Sequence, residues 1–315
     1  MPTVFDFEKP VFELESKIEE LKAFAAEKDL NLDSEIATLQ KRVEELKESV
    51  YGNLTPWQKV LIARHPERPS AIDYINHLCS DFIELHGDRL FGDDAAVVAG
   101  IARLNGYLVT VLGHQKGKGT KDNLARNFGM PHPEGLRKGL RLMRQAEKFG
   151  RPIVCFIDTP GAYCGIGAEE RGQAEAIAKN IMVMSTLRVP IIVIVIGEGG
   201  SGGALALGVG DRLLIQEHAV FSVSSPEACA SIIWKDAGRA RDAAEVLKLT
   251  AQDLKRLGVV DEIIPEPLGG AHRDVQRAVD LLREAVCRHL GELKTLPADE
   301  LVESRYRKLR GLGYL

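Results

Sequence analysis

The chain has 315 residues, of which 27% are charged and 45% hydrophobic. That balance excludes a mainly disordered or collagen-like polypeptide and leaves enough apolar residues for a sizeable core. With 45 acidic and 41 basic residues, the net charge of -4 gives no overall attraction to nucleic acid.

The N-terminal segment reads as two helices. Val11, Leu14, Ile18, Leu21 and Ala25 follow a 3-4 spacing, and Ile36, Leu39, Val43, Leu46 and Val50 repeat it. Lys28-Asp-Leu-Asn-Leu-Asp33-Ser34 interrupts the pattern, with Asp33 or Ser34 expected as the second N-cap. The expectation is an antiparallel hairpin with a narrow apolar seam, serving as a structural arm or a partner-binding element. Residues 51–75, with Trp57 and the turn-rich Arg64-His-Pro-Glu-Arg-Pro69, read as a connector. The expected division is therefore a hairpin and connector over 1–75 and a second domain over 76–315.

Beyond residue 76 strands alternate with helices. Val97-Val98, 107–112, 152–157, 189–196, 212–215 and 219–223 are strand-like. Leu136, Leu140, Met143 and Ala146 mark one helix, residues 170–187 a second, and 272–310 a charged helical tail. The pattern is that of an α/β fold with much parallel pairing. The most apolar run, 189–196, is too short to span a bilayer and reads as a buried strand. The charged N-terminus has no signal-peptide pattern. Cys79, Cys155, Cys164, Cys229 and Cys287 form no CxxC pair or zinc-ligand spacing. A soluble, cytoplasmic protein with reduced thiols and no membrane association is expected.

The densest chemical signal is Gly197-Glu-Gly-Gly-Ser-Gly-Gly-Ala-Leu205. It follows the most apolar strand and opens a small-residue helix. Residues without Cβ let a ligand approach the backbone, and free N–H groups there favour negative charge. Three readings compete. Gly197-x-Gly199-x-x-Gly202 has the form of a dinucleotide fingerprint, with Glu217 as ribose acid by position only. Gly199-x-Ser201-x-Gly203 has the form of a nucleophile elbow. A serine hydrolase would need His218, His272 or His289 as base, and nothing singles one out. The third reading is an oxyanion hole of main-chain amides.

A second turn, Asp158-Thr-Pro-Gly-Ala-Tyr-Cys-Gly-Ile-Gly167, also ends a strand, and the two turns are expected side by side. Asp158 reads as a turn or N-cap side chain, and Glu169, Glu170 and Arg171 as helix-capping or surface-pairing residues. From Lys116 to Arg151 there are ten basic and three acidic residues. This run opens with a Lys/Gly loop in which three residues, not the four of a P-loop, separate Gly113 from Gly117. Lys116, Lys118 and Lys121 suit phosphate groups or an acidic partner, or else a solvated face. No aromatics interleave with Lys116, Lys118 and Lys121, which argues against single-stranded nucleic acid. The chain also lacks HExxH, a metal-ligand cluster and the Met-Lys pair that carries biotin.

Seven motifs occur in order: Gly113-His-Gln-Lys-Gly, Arg126-Asn-Phe-Gly-Met-Pro131, Ile157-Asp-Thr-Pro-Gly-Ala-Tyr163, Gly167-Ala-Glu-Glu-Arg-Gly-Gln173, Gly197-Glu-Gly-Gly-Ser-Gly-Gly203, Ser225-Pro-Glu-Ala-Cys-Ala-Ser-Ile-Ile-Trp234 and Ile264-Pro-Glu-Pro-Leu-Gly-Gly-Ala-His272. Together they resemble the carboxyltransferase alpha subunit of bacterial multisubunit acetyl-CoA carboxylase, over nearly the whole chain. Cys164 departs from the proline of many members. The resemblance implies a crotonase/ClpP-like spiral of stacked ββα units, with the helical hairpin before it and C-terminal helices after it. It implies an alpha2beta2 heterotetramer whose beta subunit carries zinc, leaving no metal on this chain. Its partners are a biotin carboxyl carrier protein and a biotin carboxylase component, the latter using ATP.

The implied reaction moves a carboxyl group from carboxybiotin to acetyl-CoA, giving malonyl-CoA for fatty-acid biosynthesis. Negative charge then builds on the biotin ureido group and on the thioester enolate. The resemblance assigns the ureido pocket to this chain. The implied catalytic donors are the N–H groups of Gly202 and Gly203. Gly161, Ala162, Gly199, Gly200 and Ser201 line the carboxybiotin pocket, and Lys116, Lys118 and Lys121 contact CoA phosphates or the carrier. A valine at Gly203 is expected to block biotin while leaving assembly intact.

Overall fold

The computed structural model describes residues 4–313. Eight strands form one sheet: β1 (Ser80–Glu84), β2 (Val97–Leu104), β3 (Tyr107–His114), β4 (Ile153–Thr159), β5 (Ile191–Gly200), β6 (Arg212–Gln216), β7 (Val220–Ser222) and β8 (Glu262–Ile264). Their order is β1-β2-β3-β4-β5-β6-β8, with β7 paired to β5 off that path. The first three strands are antiparallel and the rest pair in parallel. Every residue of β4 and β5 is buried, as a two-sided parallel sheet demands of its strands.

One half of β5 pairs with β6 through residues 192–195, whereas Glu198, Gly199 and Gly200 pair with β7. The two ends of β5 thus have different neighbours. Helices Pro133–Lys148 and Gln173–Thr186 pack together on one side of the sheet. On the other side lie Ala71–Leu78 and Val275–Lys294, with Tyr74, Ile75, Leu282 and Val286 in the core beside Val111, Phe156 and Ile194.

The hairpin forms from Lys9–Lys28 and Asp33–Gly52. Val11, Ile18 and Val43 are buried, while Leu14, Leu21, Ile36 and Leu39 are only half-buried. Its second helix starts one residue earlier than a cap at Asp33 or Ser34 requires: Leu32 is the N-cap, and the Asn31 side chain accepts from the Asp33 N–H at 3.2 Å. Side chains fix its base. Tyr51 donates to Glu8 at 2.8 Å, and Arg273 lies 4.2 Å over the Phe12 ring.

The stretch read as a connector is more ordered than its prolines and histidine suggested. It contains the helices Pro56–Ala63 and Ala71–Leu78, each opened by a reciprocal capping box, at Thr55/Gln58 and Ser70/Asp73. The expected division at residue 75 falls inside the second of these, whose Tyr74 and Ile75 belong to the main core. Residues 1 and 315, its outer limits, lie outside the described residues. The helical tail is two helices, Val275–Lys294 and Ala298–Gly311, broken at Pro297. Arg305, 1% exposed, locks the last one by bonding Asp211 and the carbonyls of Met184, Leu187 and Val189.

Candidate functional site: two facing turns

The two turns follow adjacent parallel strands. The β4–β5 register runs regularly from Ile153↔Ile191 to Ile157↔Val195, then slips to Thr159↔Gly199. Asp158 lies in this irregular step. Its carboxylate accepts the Glu198 N–H at 2.9 Å, in place of a strand-to-strand bond. The approach requires glycine at 197, where a Cβ would lie 2.4 Å from Asp158 Oδ1. Asp158 is therefore neither an N-cap nor a local turn former; it ties one strand end to the next.

Beyond the step the turns touch. A Cβ on Gly200 would lie 2.1 Å from the Pro160 carbonyl oxygen, and one on Gly203 2.5 Å from the Ala162 nitrogen. This geometry corrects the expectation for valine at Gly203: its side chain would collide with the neighbouring turn rather than enter a ligand pocket. The helix that begins here, Ser201–Leu205, carries no side-chain cap. The N–H groups of Gly202 and Gly203 lie in its first turn and have no acceptor within the helix. Gly202, Gly161 and Ala162 are half-buried, Gly199, Gly200 and Gly203 buried, and Ser201 exposed. Of the sequence-predicted pocket residues, Gly200 and Gly203 thus lie against the 160–162 turn, whereas Gly199 faces Phe221 and Gly202 faces Ile177.

Ser201 has a φ of 50°, a conformation seen at nucleophile elbows, yet no base serves it. Among the described residues no histidine hydrogen-bonds Ser201. His218 is buried with its main-chain N–H on Glu266 at 2.9 Å, His272 stacks on His65 at 3.9 Å, and His289 bonds Glu262 at 2.7 Å. The serine hydrolase reading therefore fails on geometry. The dinucleotide reading fares no better: Glu217 accepts the Glu266 N–H at 3.2 Å.

The three lysines of the basic loop divide. The Lys116 ammonium sits 2.7 Å from Asp158 and 2.8 Å from Glu198. Lys118 is exposed and pairs with Asp73 at 2.7 Å, and Lys121 is exposed. Arg64 continues the network, reaching Glu198 and Glu227 at 2.6 Å each. Burial opposes ionisation of Glu198, but the Lys116 and Arg64 charges prevail and hold its carboxyl down at about 2. Burial pushes the His114 imidazole, beside Gly203, down to about 3 and so keeps it neutral. A cleft of about 470 Å³ borders the network, with Arg64, Lys116, Lys118, Phe128 and Pro160 in its wall.

The other turn is braced by side chains. Gln173 donates to the Pro131 and Tyr163 carbonyls at 2.8 and 3.0 Å, and the His132 ring packs 4.2 Å from that of Tyr163. These contacts hold the segment that contains Cys164, at the position where the resemblance implies proline. Arg171 clasps Glu134 with two bonds, at 2.9 and 3.2 Å, and lies over the Phe91 ring at 4.5 Å; Glu169 and Glu170 are exposed. Sequence reasoning missed Arg64, Glu198, His114 and Gln173 as site-shaping residues. The quoted stretches 64–69, 113–117, 167–173 and 197–203 contain these four residues, but nothing in them singled the side chains out.

Among the described residues no cluster of His, Cys, Asp and Glu is arranged to hold a metal ion, and no helix is long and apolar enough to cross a membrane. The sequence family described as acetyl co-enzyme A carboxylase carboxyltransferase-like matches residues 4–313. The acetyl-coenzyme A carboxylase carboxyl transferase subunit alpha of Heliobacterium modesticaldum is 61% identical over 99% of this chain and 93% of its own length. The protein of the same name from Halalkalibacterium halodurans is 58% identical over 99% and 96%. Solved structures share the fold at low identity. A Pseudomonas malonate decarboxylase hetero-tetramer in complex with coenzyme A matches with a TM-score of 0.58 at 19% identity, over 71% of this chain and 87% of the other. Transcarboxylase 12S with methylmalonyl-coenzyme A bound matches at 0.54 and 21%, over 68% and 42%. With the crotonase-like fold, the paired main-chain turns and a family match along almost its whole length, this chain belongs to the carboxyltransferase alpha-subunit family of acetyl-CoA carboxylase.

Proposed function

We propose that this chain supplies the ureido-binding half of a carboxyltransferase. With a zinc-bearing beta subunit in a cytoplasmic alpha2beta2 assembly, it transfers the carboxyl group from carboxybiotin on a carrier protein to acetyl-CoA. The product, malonyl-CoA, feeds fatty-acid synthesis, and ATP is consumed by a separate biotin carboxylase. The observation that carries this reading is the uncapped start of the Ser201–Leu205 helix, with Gly203 packed against the 160–162 turn and no nucleophile–base pair beside it.

Bound carboxybiotin would supply the carboxyl group and, after releasing it, a basic ureido nitrogen. The chain's task is then to hold the ureido oxygen as it becomes anionic. Gly202 and Gly203 donate to it, Gly161 and Ala162 close the facing wall, and Gly199, Gly200 and Ser201 shape the floor and rim. Such donors cost no reorganisation at the moment of reaction, and losing one typically costs about 3 kcal/mol. The neutral His114 behind Gly203 adds no charge of its own. Val223, Ile232 and Ile233 are exposed at 77%, 68% and 56% on the segment that follows the β5–β7 pairing, an apolar margin suited to cover by the beta subunit. Lys118 and Lys121 remain available to CoA phosphates or an acidic carrier.

Mixing the chain with its beta partner, carboxylated carrier and acetyl-CoA tests the proposal. Malonyl-CoA should form only when both subunits are present, and Ser201→Ala should leave the rate within about twofold. Full activity of the beta subunit alone would overturn it.

A further inference from the structure

Lys116 lies where the two turns originate. The regular β4–β5 pairing ends between Ile157/Val195 and Thr159/Gly199. Asp158 and Glu198 sit in that gap, their side chains 8% and 12% exposed, and the Lys116 ammonium lies 2.7 and 2.8 Å from them. Asp158 precedes the 160–162 turn and Glu198 precedes Gly199 to Gly203. One cation from a third segment therefore grips the base of both. Irregular strand steps of this kind re-aim the chain beyond them and are frequent beside active sites.

We propose that Lys116 is a positioning residue that sets the spacing of the two turns, and thereby of the Gly202 and Gly203 donors, rather than a contact for CoA or the carrier. The inference rests on the carboxyltransferase reading above. Its charge logic is local. Lys116 and Arg64 face Asp158, Glu198 and Glu227. Without Lys116, Asp158 and Glu198 repel across the strand step with no ammonium between them, and Arg64 reaches only Glu198 and Glu227. The turns would spread, and an unbalanced negative charge would lie behind donors that must receive an anion. A displacement of about 1 Å in a preorganised site costs roughly a hundredfold in rate.

The test compares Lys116→Met with wild type in the complete alpha–beta complex. The expected result is a kcat roughly a hundredfold lower with the KM for acetyl-CoA unchanged within about twofold. A contact to CoA predicts the reverse, a raised KM at unchanged kcat, and would overturn the proposal. Lys116→Arg should recover part of the loss. So should the double variant Lys116→Met/Glu198→Gln, which restores the native charge difference and also serves if the single variant fails to fold. A double variant no faster than the single one would count against the charge argument. Hydrogen exchange of the full chain alone gives a readout independent of activity: Lys116→Met should speed exchange in both 158–163 and 196–203 and leave the hairpin unchanged. Unaltered protection of both segments would overturn the proposal even if the wild-type complex proved inactive, a result that by itself would refute only the carboxyltransferase reading.

Discussion

The hairpin and the β4–β5 pair organise their residues in opposite ways. In the hairpin helices only Val11, Ile18, Val43 and Tyr51 are buried, and charged pairs such as Lys22–Glu19 are exposed. In β4 and β5 every side chain is buried, and the polar groups there, Asp158 and Glu198, are paired and hydrogen-bonded. The difference teaches where a substitution is felt. A seam of half-buried residues yields locally, because solvent can replace what is lost. A close-packed strand pair transmits a small displacement, because its neighbours have nowhere to move.

The sharpest challenge to that contrast is Gly203→Ala. Its Cβ must find room 2.5 Å from the Ala162 nitrogen and the Gly161 carbonyl carbon, so the turns must part. The expected loss in kcat is roughly a hundred- to a thousandfold, measured in the alpha–beta complex alongside a thermal melt of the chain. An unchanged kcat would remove these turns from the mechanism.

Acid should act on the buried region before the hairpin. Burial lowers the His114 and His272 imidazoles from 6.5 to about 3. The unfolded chain therefore binds protons more readily, and stability falls as pH drops below about 6.5. Glu198 and Glu266 are buried, yet Lys116 and Arg64 for the first and Arg68 for the second lower them from 4.5 to about 2. Their contribution is present above pH 4.5 and is lost as pH falls toward 2. The melting midpoint should hold above pH 7 and decline in these two stages. A midpoint constant from pH 7 to 4 would contradict the histidine assignment, and one constant from pH 4 to 2 the carboxylate assignment.

Smaller effects are expected at the hairpin. Tyr51→Phe removes the bond to the buried Glu8 carboxylate and should cost about 1–3 kcal/mol, read by denaturant unfolding. Lys22→Ala breaks only an exposed pair with Glu19 and should change stability by less than about 0.5 kcal/mol. If the two variants proved equal, the hairpin base would be as yielding as its seam.

Much of the architecture was legible along the chain. The apolar run at 189–196 marked β5, the 3-4 spacing of Val11, Ile18 and Val43 marked the hairpin, and the glycines at 197–203 marked the closest main-chain approach. The connector was harder. Its helices depend on Thr55 and Ser70 capping boxes embedded among Pro56, Pro66 and Pro69, which suggest turns when read alone. The pocket residues stood out because glycine at a strand end has a direct physical meaning. Lys116 gave no such signal, since a lysine in a Gly/Lys loop suits a ligand, a partner or solvent equally.

What the amino-acid order determined by itself is the set of elements and the absence of side chains where the turns meet. Both arise from periods of two to four residues and from missing Cβ atoms, which act at short range along the chain. Tertiary structure alone decided the partners of the charges. Lys116 meets Glu198 from 82 residues away, and Arg64 meets it from 134. Such partnerships depend on which strand ends the parallel sheet brings together, and burial there leaves each charge stable only beside its opposite.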